Sequence, residues 1–462
     1  MKIKMFSAML ATLLLASCGS VETSGPETTD SSKQEVKVVT VSEPETESLE
    51  TTDSSTESAN AETSKTDSLE SESDSSISDS EAEGKEVETT QDDNSAEFAA
   101  GLLLAACKDD ILNGKNAFIS PLSVKEALGM TMNGAKGKTL NEMRDVLCGN
   151  ISLRRFNQLV EQRQERYNSE EGVTIRNTNS VWINSKWIEN LEEDFTDILD
   201  NSYQTECIVE SFEEGTEELI NGWVALNTLG MIPSVIENLD YDSAMVLVNA
   251  VAFDGKWEET FAEDKIDENG VFHDCKGNDL NVAMLGSKEH IYLSSSKASG
   301  FIKPYAGGNF GFMGILPEGD IKDYINNFDA HEWETLIHSK THDDVFVKMP
   351  EFSSEYGKSL NEALENMGIK QAFSDLADFS GMTKDYPLRI SEVTHKAVIN
   401  LDRNGTKAAA VTSVEMSVNS VVPADEIHYV YLDRPFMYAI VDMSTFEPIF
   451  MGVHQTVEKE SL

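Results

Sequence analysis

The chain of 462 residues is poor in positive charge. It carries 36 lysines and arginines against 82 aspartates and glutamates, a formal net charge of −46. A surface this acidic repels polyanions. Nucleic acid, anionic lipid surfaces and a heparin-type cofactor are therefore disfavoured as partners. Cysteine is scarce too. Beyond residue 94 there are Cys107, Cys148, Cys207 and Cys275, scattered without a Cys-x-x-Cys pair. That spacing does not suit a metal site. Disulfides remain open in an exported protein, but the sequence cannot pair them, and buried thiols are the expectation. After the N-terminal segment no apolar run is long enough for a membrane-spanning helix. Catalytic signatures are also missing. There is no Gly-x-Ser-x-Gly elbow, no glycine-rich phosphate loop and no Walker-type lysine. His331-Glu332-Trp333-Glu334 looks like a zinc motif, but the zinc helix needs its second histidine at i+4 and His338 stands at i+7. His338 and His342 have the i, i+4 spacing, but Ser339 stands where the glutamate is needed. The chain is not read as an enzyme, and no catalytic residue, metal or cofactor is expected.

The first residues read as an address. Lys2 and Lys4 precede an apolar stretch from Met5 to Ala16, then Leu15-Ala16-Ser17-Cys18. A charged start, a short apolar run and small residues at the cut describe a secretory signal over 1–17. A cysteine directly after the small pair resembles a bacterial lipobox, which would make Cys18 the lipidated first residue of the mature chain. A plain signal peptide with an incidental cysteine is the alternative. Residues 18–94 are an acidic Ser/Thr-rich segment without an aromatic side chain. From 19 to 94 there are 22 acidic and 4 basic residues, so 22 − 4 = 18 net negative charges. Such a segment buries too little apolar surface to offset ordering entropy. As a coil it spans about 50 Å, more with charge repulsion. It is read as a disordered tether, or as a solubilising tail with no spacing role.

Residues 95–456 have the composition of one large domain, and 457–462 form a tail. Phe98 to Leu112 has helical periodicity, with Leu102, Leu103 and Ala106 on one stripe. Ser120-Pro121 opens a second helix, the serine capping and the proline in the first turn. Val124, Ala127, Leu128 and Thr131 are its expected inward face. Asn133 to Gly137 ends it with turn chemistry. Strand-like runs follow at Val173–Ile183, Ala244–Phe253 and Val345–Met349. Phe436–Val441 and Ile449–Val453 read as a buried hairpin. Helices first and strands later argue for an α+β fold with large antiparallel sheets.

Six blocks in order resemble the serpin family. They are Phe118-Ile119-Ser120-Pro121-Leu122-Ser123 with Gly134-Ala135-Lys136-Gly137-Lys138-Thr139; Asn179-Ser180-Val181-Trp182; Asn221-Gly222-Trp223-Val224 with Thr228-Leu229-Gly230-Met231-Ile232; Leu247-Val248-Asn249-Ala250 through Phe253-Asp254-Gly255-Lys256-Trp257; Asp433-Arg434-Pro435-Phe436; and Phe450-Met451-Gly452. The resemblance implies a serpin fold, with three β-sheets, about eight or nine helices and an exposed reactive-centre loop. It implies a suicide inhibitor of serine-type endopeptidases. A target protease cleaves the loop and is acylated, and the loop then inserts into the main sheet. The expected partner is the trapped protease, the expected state a monomer. The expected place is outside the cytoplasm, anchored to a bacterial membrane through lipid on Cys18.

The reactive loop is placed at about 403–433. Gly405-Thr406-Lys407-Ala408-Ala409-Ala410-Val411-Thr412 resembles the family hinge. An inserted strand alternates its side chains between core and surface. Thr406, Ala408, Ala410, Thr412, Val414 and Met416 would face the core, with no charge among them and no proline before Pro423. Ala409 lies on the other face, as does Lys407, where the family usually has glutamate. An Ala-rich stretch that is only flexible loop is the alternative. Arg403 stands where the family has a hinge glutamate, and Glu351 stands where its lysine partner would be. A reversed pair, Glu351 with Arg403, is expected, against two exposed charges that never meet. By resemblance, Ser120, Ser123, Asn249 and His395 form a polar shutter beneath the sheet, and Trp257 marks its opening. On its own, His395 reads as a core histidine.

Counting 17 residues from Arg403 reaches Asn419, so the expected reactive bond is Asn419–Ser420. Counting back from Pro435 reaches Ala424 instead. The hinge-side count is preferred because insertion length sets where the protease ends. No lysine or arginine lies between Lys407 and Arg434, so a trypsin-like pocket finds no cation there. Elastase-like or subtilisin-like targets are expected. A non-inhibitory serpin acting as a binding protein and an unrelated solute-binding lipoprotein are the competing readings.

Overall fold

The computed structural model describes residues 94–168, 172–205, 207–406 and 427–457. The expectations placed on the signal segment, on Cys18 and on the tether fall outside these residues. So do those on Ala408, Ala409, Ala410, Thr412, Asn419 and Ser420.

Sixteen strands are described. In chain order they begin with β1 (Ala117–Ile119), β2 (Val173–Asn184), β3 (Cys207–Glu210), β4 (Met245–Lys256), β5 (Ile266–His273) and β6 (Asp279–Glu289). Then come β7 (Tyr292–Ser294), β8 (Ala298–Pro304), β9 (Phe310–Pro317), β10 (Asp344–Pro350) and β11 (Phe352–Ser359). The last are β12 (Ile390–Asp402), β13 (Gly405–Thr406), β14 (Ile427–Tyr431), β15 (Phe436–Asp442) and β16 (Pro448–His454). They form three sheets. The main sheet runs β11-β12-β13-β4-β2-β3, a second β1-β16-β15-β9-β8-β7, and a four-stranded third β14-β10-β6-β5. Nine α-helices accompany them among the described residues. The α+β expectation is met.

The strand-like runs of the sequence become β2, β4, β10 and the antiparallel hairpin of β15 and β16. The first helix spans Ser95–Leu112, with Leu102, Leu103 and Ala106 buried as its periodicity demands. The second, Pro121–Met132, starts where Ser120 accepts a hydrogen bond from the Ser123 N–H at 3.3 Å. Its environment differs from the amphipathic expectation. All twelve residues are buried, Lys125 and Glu126 included. It threads between the main and second sheets, so both its faces meet protein, and its polar positions must find partners inside. Helix Thr216–Asn227 covers the far side of β4 through Ile220 and Val224, which pack on Val246, Val248 and Ala250. β4 is thereby buried on both faces. Among the described residues no two cysteines are joined, and burial pushes the Cys107 and Cys207 thiols up to about 12.

Candidate functional site

The main sheet has a seam. β12 and β4 are parallel neighbours, paired from Ile390 with Met245 to Val398 with Ala252. Above that point the two strands part, and β13 lies between them. Thr406 pairs with Leu401 on one side and Gly255 on the other; Gly405 pairs with Asp402 and Lys256. The first two hinge residues are thus already sheet, antiparallel to both flanking strands. Thr406 is fully buried, and its hydroxyl lies 2.9 Å from that of Tyr305. Gly405 has φ +152°, and a Cβ there would meet the Gly255 carbonyl oxygen at 2.2 Å. Only glycine fits. The Asp402 carboxylate closes the preceding turn by accepting the N–H groups of Asn404 and Gly405, at 2.7 and 3.1 Å.

Trp257 sits under the opening. Its indole N–H donates to the Asp402 carbonyl at 3.0 Å, its backbone N–H to the Asn404 carbonyl at 3.2 Å. Its ring stacks on Tyr305 at 4.5 Å. Buried Lys303 lies 5.6 Å from the centre of that ring and pairs with Glu289 at 2.8 Å.

Arg403 and Glu351 meet. The guanidinium donates twice to the Glu351 carboxylate, at 2.8 and 3.0 Å, and the Arg403 backbone N–H donates to it at 2.9 Å. A third member was not visible in the sequence. Glu268, on β5, receives the other edge of the same guanidinium at 2.8 and 3.3 Å. That hydrogen bonding holds its carboxyl below the usual glutamate range. One arginine therefore ties the turn before the hinge to the β10–β11 corner and to the third sheet. Fork geometry of this kind suits arginine better than lysine.

Lower down, Ser120, Ser123, Asn249 and His395 come together across the seam. Asn249 and His395 are register partners on β4 and β12. The Ser120 N–H donates to His395 Nε2 at 3.2 Å, so Nδ1 carries the ring proton and donates to Asn249 Oδ1. Burial lowers the His395 pKa to about 3, and the ring is neutral. Asn249 Nδ2 donates to Ser123 Oγ and to Asn179 Oδ1. Asn179 and Asn177 belong to this cluster, and the sequence had not singled them out for it. Their signal is two asparagines two residues apart on β2, Asn179 buried ahead of Val181 and Ile183 and Asn177 exposed.

A three-sheet fold whose main sheet is parted at one end by the root of a loop is the serpin architecture. A family model described as serpin (serine protease inhibitor) matches residues 93–456, and the chain belongs to that family. It is 31% identical over 356 residues to an uncharacterized serpin-like protein of Thermococcus kodakarensis, covering 74% of this chain and 80% of that one. It is 30% identical over 372 residues to an alpha-1-antitrypsin of Meriones unguiculatus, covering 78% and 88%. Among solved structures, the thermophilic serpin tengpin in its native state superposes with a TM-score of 0.72 at 34% identity, covering 81% of this chain and 96% of that one.

Proposed function

We propose that the chain is a suicide inhibitor of serine-type endopeptidases that works by inserting its cleaved loop into the main sheet. The supporting observation is the register of β13. Thr406 lies opposite Leu401 and Gly255. Each two-residue step along the loop moves two residues back along both flanking strands. Ala408 would then fall between Ile399 and Phe253, and Ala410 between Ala397 and Val251. Thr412 would fall between His395 and Asn249, and Val414 between Val393 and Leu247. All eight flanking residues are buried. The small hinge residues thus meet a buried part of the sheet. Thr412 would reach the histidine–asparagine bridge with a hydroxyl able to take its place.

The reactive bond is proposed at Asn419–Ser420, with elastase-like or subtilisin-like targets, because the loop offers no cation. Mixing the full chain with elastase, subtilisin and trypsin tests this. An SDS-stable complex with one of the first two, and a released peptide beginning at Ser420, is expected. Cleavage without a complex for all three would exclude the trapping mechanism. Anchoring through lipid on Cys18 is part of the same proposal. Labelled palmitate should enter the wild-type chain in a bacterial host and not Cys18→Ala; equal labelling would refute it.

A further inference from the structure

Glu126 and Lys125 are buried charges in the middle of the domain. Lys125 donates to Ser95 Oγ at 2.9 Å. Glu126 does something else. The Asn177 amide donates to its Oε2 at 2.6 Å, while Asn177 Oδ1 accepts from Ser123 Oγ. This joins Glu126 to the seam. The chain of donors runs one way: Ser120 N–H to His395, His395 to Asn249, Asn249 to Ser123, Ser123 to Asn177, Asn177 to Glu126. No step can be reversed while the histidine accepts from the Ser120 backbone and the last acceptor is a carboxylate. Ser120, Ser123, Glu126, Asn249 and His395 are buried, and aligned bonds polarise one another in such a low-dielectric interior; Asn177, which joins Ser123 to Glu126, is exposed. The bond that bridges β12 and β4 is one of them.

Glu126 has charged neighbours on every side. From helix Leu153–Asn168, Arg163 comes within 3.7 Å, and Arg163 also reaches Glu447 of the β15–β16 turn at 3.3 Å. Tyr167 and Tyr203 lie close by, and Arg166 is tied to Asp442. A cavity of about 170 Å³ borders Ser123, Glu126, Gln164, Asn177 and Tyr203, so the Asn177 amide has room to turn. Burial pushes the Glu126 carboxyl up to about 7, against the pull of Arg163.

We propose that Glu126 is a proton-linked latch on the main sheet: its carboxylate anchors the relay that holds β12 to β4, and neutralising it loosens the seam. A hydrogen bond to an ionised acceptor is about twice as strong as one to a neutral acceptor. Losing that difference corresponds to about a tenfold change in seam opening. His395 does not confuse the reading, because it stays neutral through the pH range concerned.

The test is amide hydrogen exchange of the β12 segment Glu392–Val398 in the full chain. It is read by mass spectrometry as protection factors at pH 8.5 and 5.5. No protease is involved, so the outcome is independent of the inhibitor reading. Wild type should lose about tenfold protection on going to pH 5.5. Glu126→Gln should show the low value at both pH values. Asn177→Ala, which cuts the relay and leaves the carboxylate, should do the same. Equal wild-type protection at the two pH values overturns the proposal without any variant. Wild-type protection at pH 8.5 in either variant overturns it as well.

Discussion

Reversing the charge at Arg403 tests the clamp that holds the top of the main sheet. Arg403 and Glu351 form a two-pronged pair, but their side chains are 36% and 25% exposed. Water screens such a pair, and its attraction is about 1 kcal/mol. Arg403→Glu replaces attraction by repulsion of similar size, a swing of about 2 kcal/mol. Entry of the hinge into the seam should then speed up about 30-fold. Glu268 adds a further repulsion. Incubating monomer at fixed temperature and following latent and polymeric forms by size exclusion and native gels reads the rate. Adding Glu351→Arg restores one pair and leaves Glu268 facing a like charge, so recovery should be partial. Adding Glu268→Lys should complete it. High salt should narrow the differences. Conversion of Arg403→Glu at the wild-type rate would refute the clamp. Full recovery with Glu351→Arg alone would remove Glu268 from it.

Gly405→Ala drives a Cβ into the Gly255 carbonyl oxygen at 2.2 Å. It should expel β13, lower the Tm and shift Trp257 fluorescence to the red; unchanged emission and Tm would contradict the close fit. Thr412→Glu would bring an unpaired carboxylate between His395 and Asn249 on insertion, at a cost of several kcal/mol. Cleavage should continue while the stoichiometry of inhibition rises roughly tenfold, and the outward Lys407→Glu should behave as wild type. Equal stoichiometry for both variants would break the proposed register. His454 is buried among Phe272, Phe352 and Phe436 and held at about 3 by burial. A histidine whose folded pKa is depressed contributes stability that is full above about 6.5 and lost as pH falls, at about 1.4 kcal/mol per unit. His454→Phe should flatten urea stability between pH 7 and 5 by about that slope; an unchanged slope would show that His454 does not stay neutral.

The sequence carried the fold well because its signals there are local or collinear. A short β-rich run gave β4, the capping serine and proline gave the start of helix Pro121–Met132, and ordered blocks gave the family. Ser120, Ser123, Asn249 and His395 came from that resemblance, not from any spacing, since nothing local connects position 249 to 395. Glu351 and Arg403 were reached from a departure in two family positions. Glu268, 135 residues away from Arg403, leaves no such trace. Glu126 was hidden for a different reason. Periodicity assigns a charged residue to the wet side of a helix, and this helix has no wet side. Asn177 was hidden with it, because it is an exposed residue on a strand whose bond to Glu126 spans 51 residues of chain.

The seam has two fastenings, and pH separates them. Hydrogen bonding from Arg403 holds Glu268 below the usual carboxylate range, so the clamp persists in mild acid. Glu126 is raised to about 7, and its end of the relay weakens first. The same group acts on global unfolding with the opposite sign. A carboxyl whose folded pKa lies above its unfolded value of about 4.3 contributes stability that is present below that value and lost as pH rises through the folded pKa. A buried carboxylate is therefore a burden to the fold and a fastening to the seam. At pH 8.5, Glu126→Gln should make the protein harder to unfold in urea and at the same time less protected at β12. A side chain that only filled space would move both measurements together. Loss of protection accompanied by lower urea stability would reduce Glu126 to packing and remove the latch.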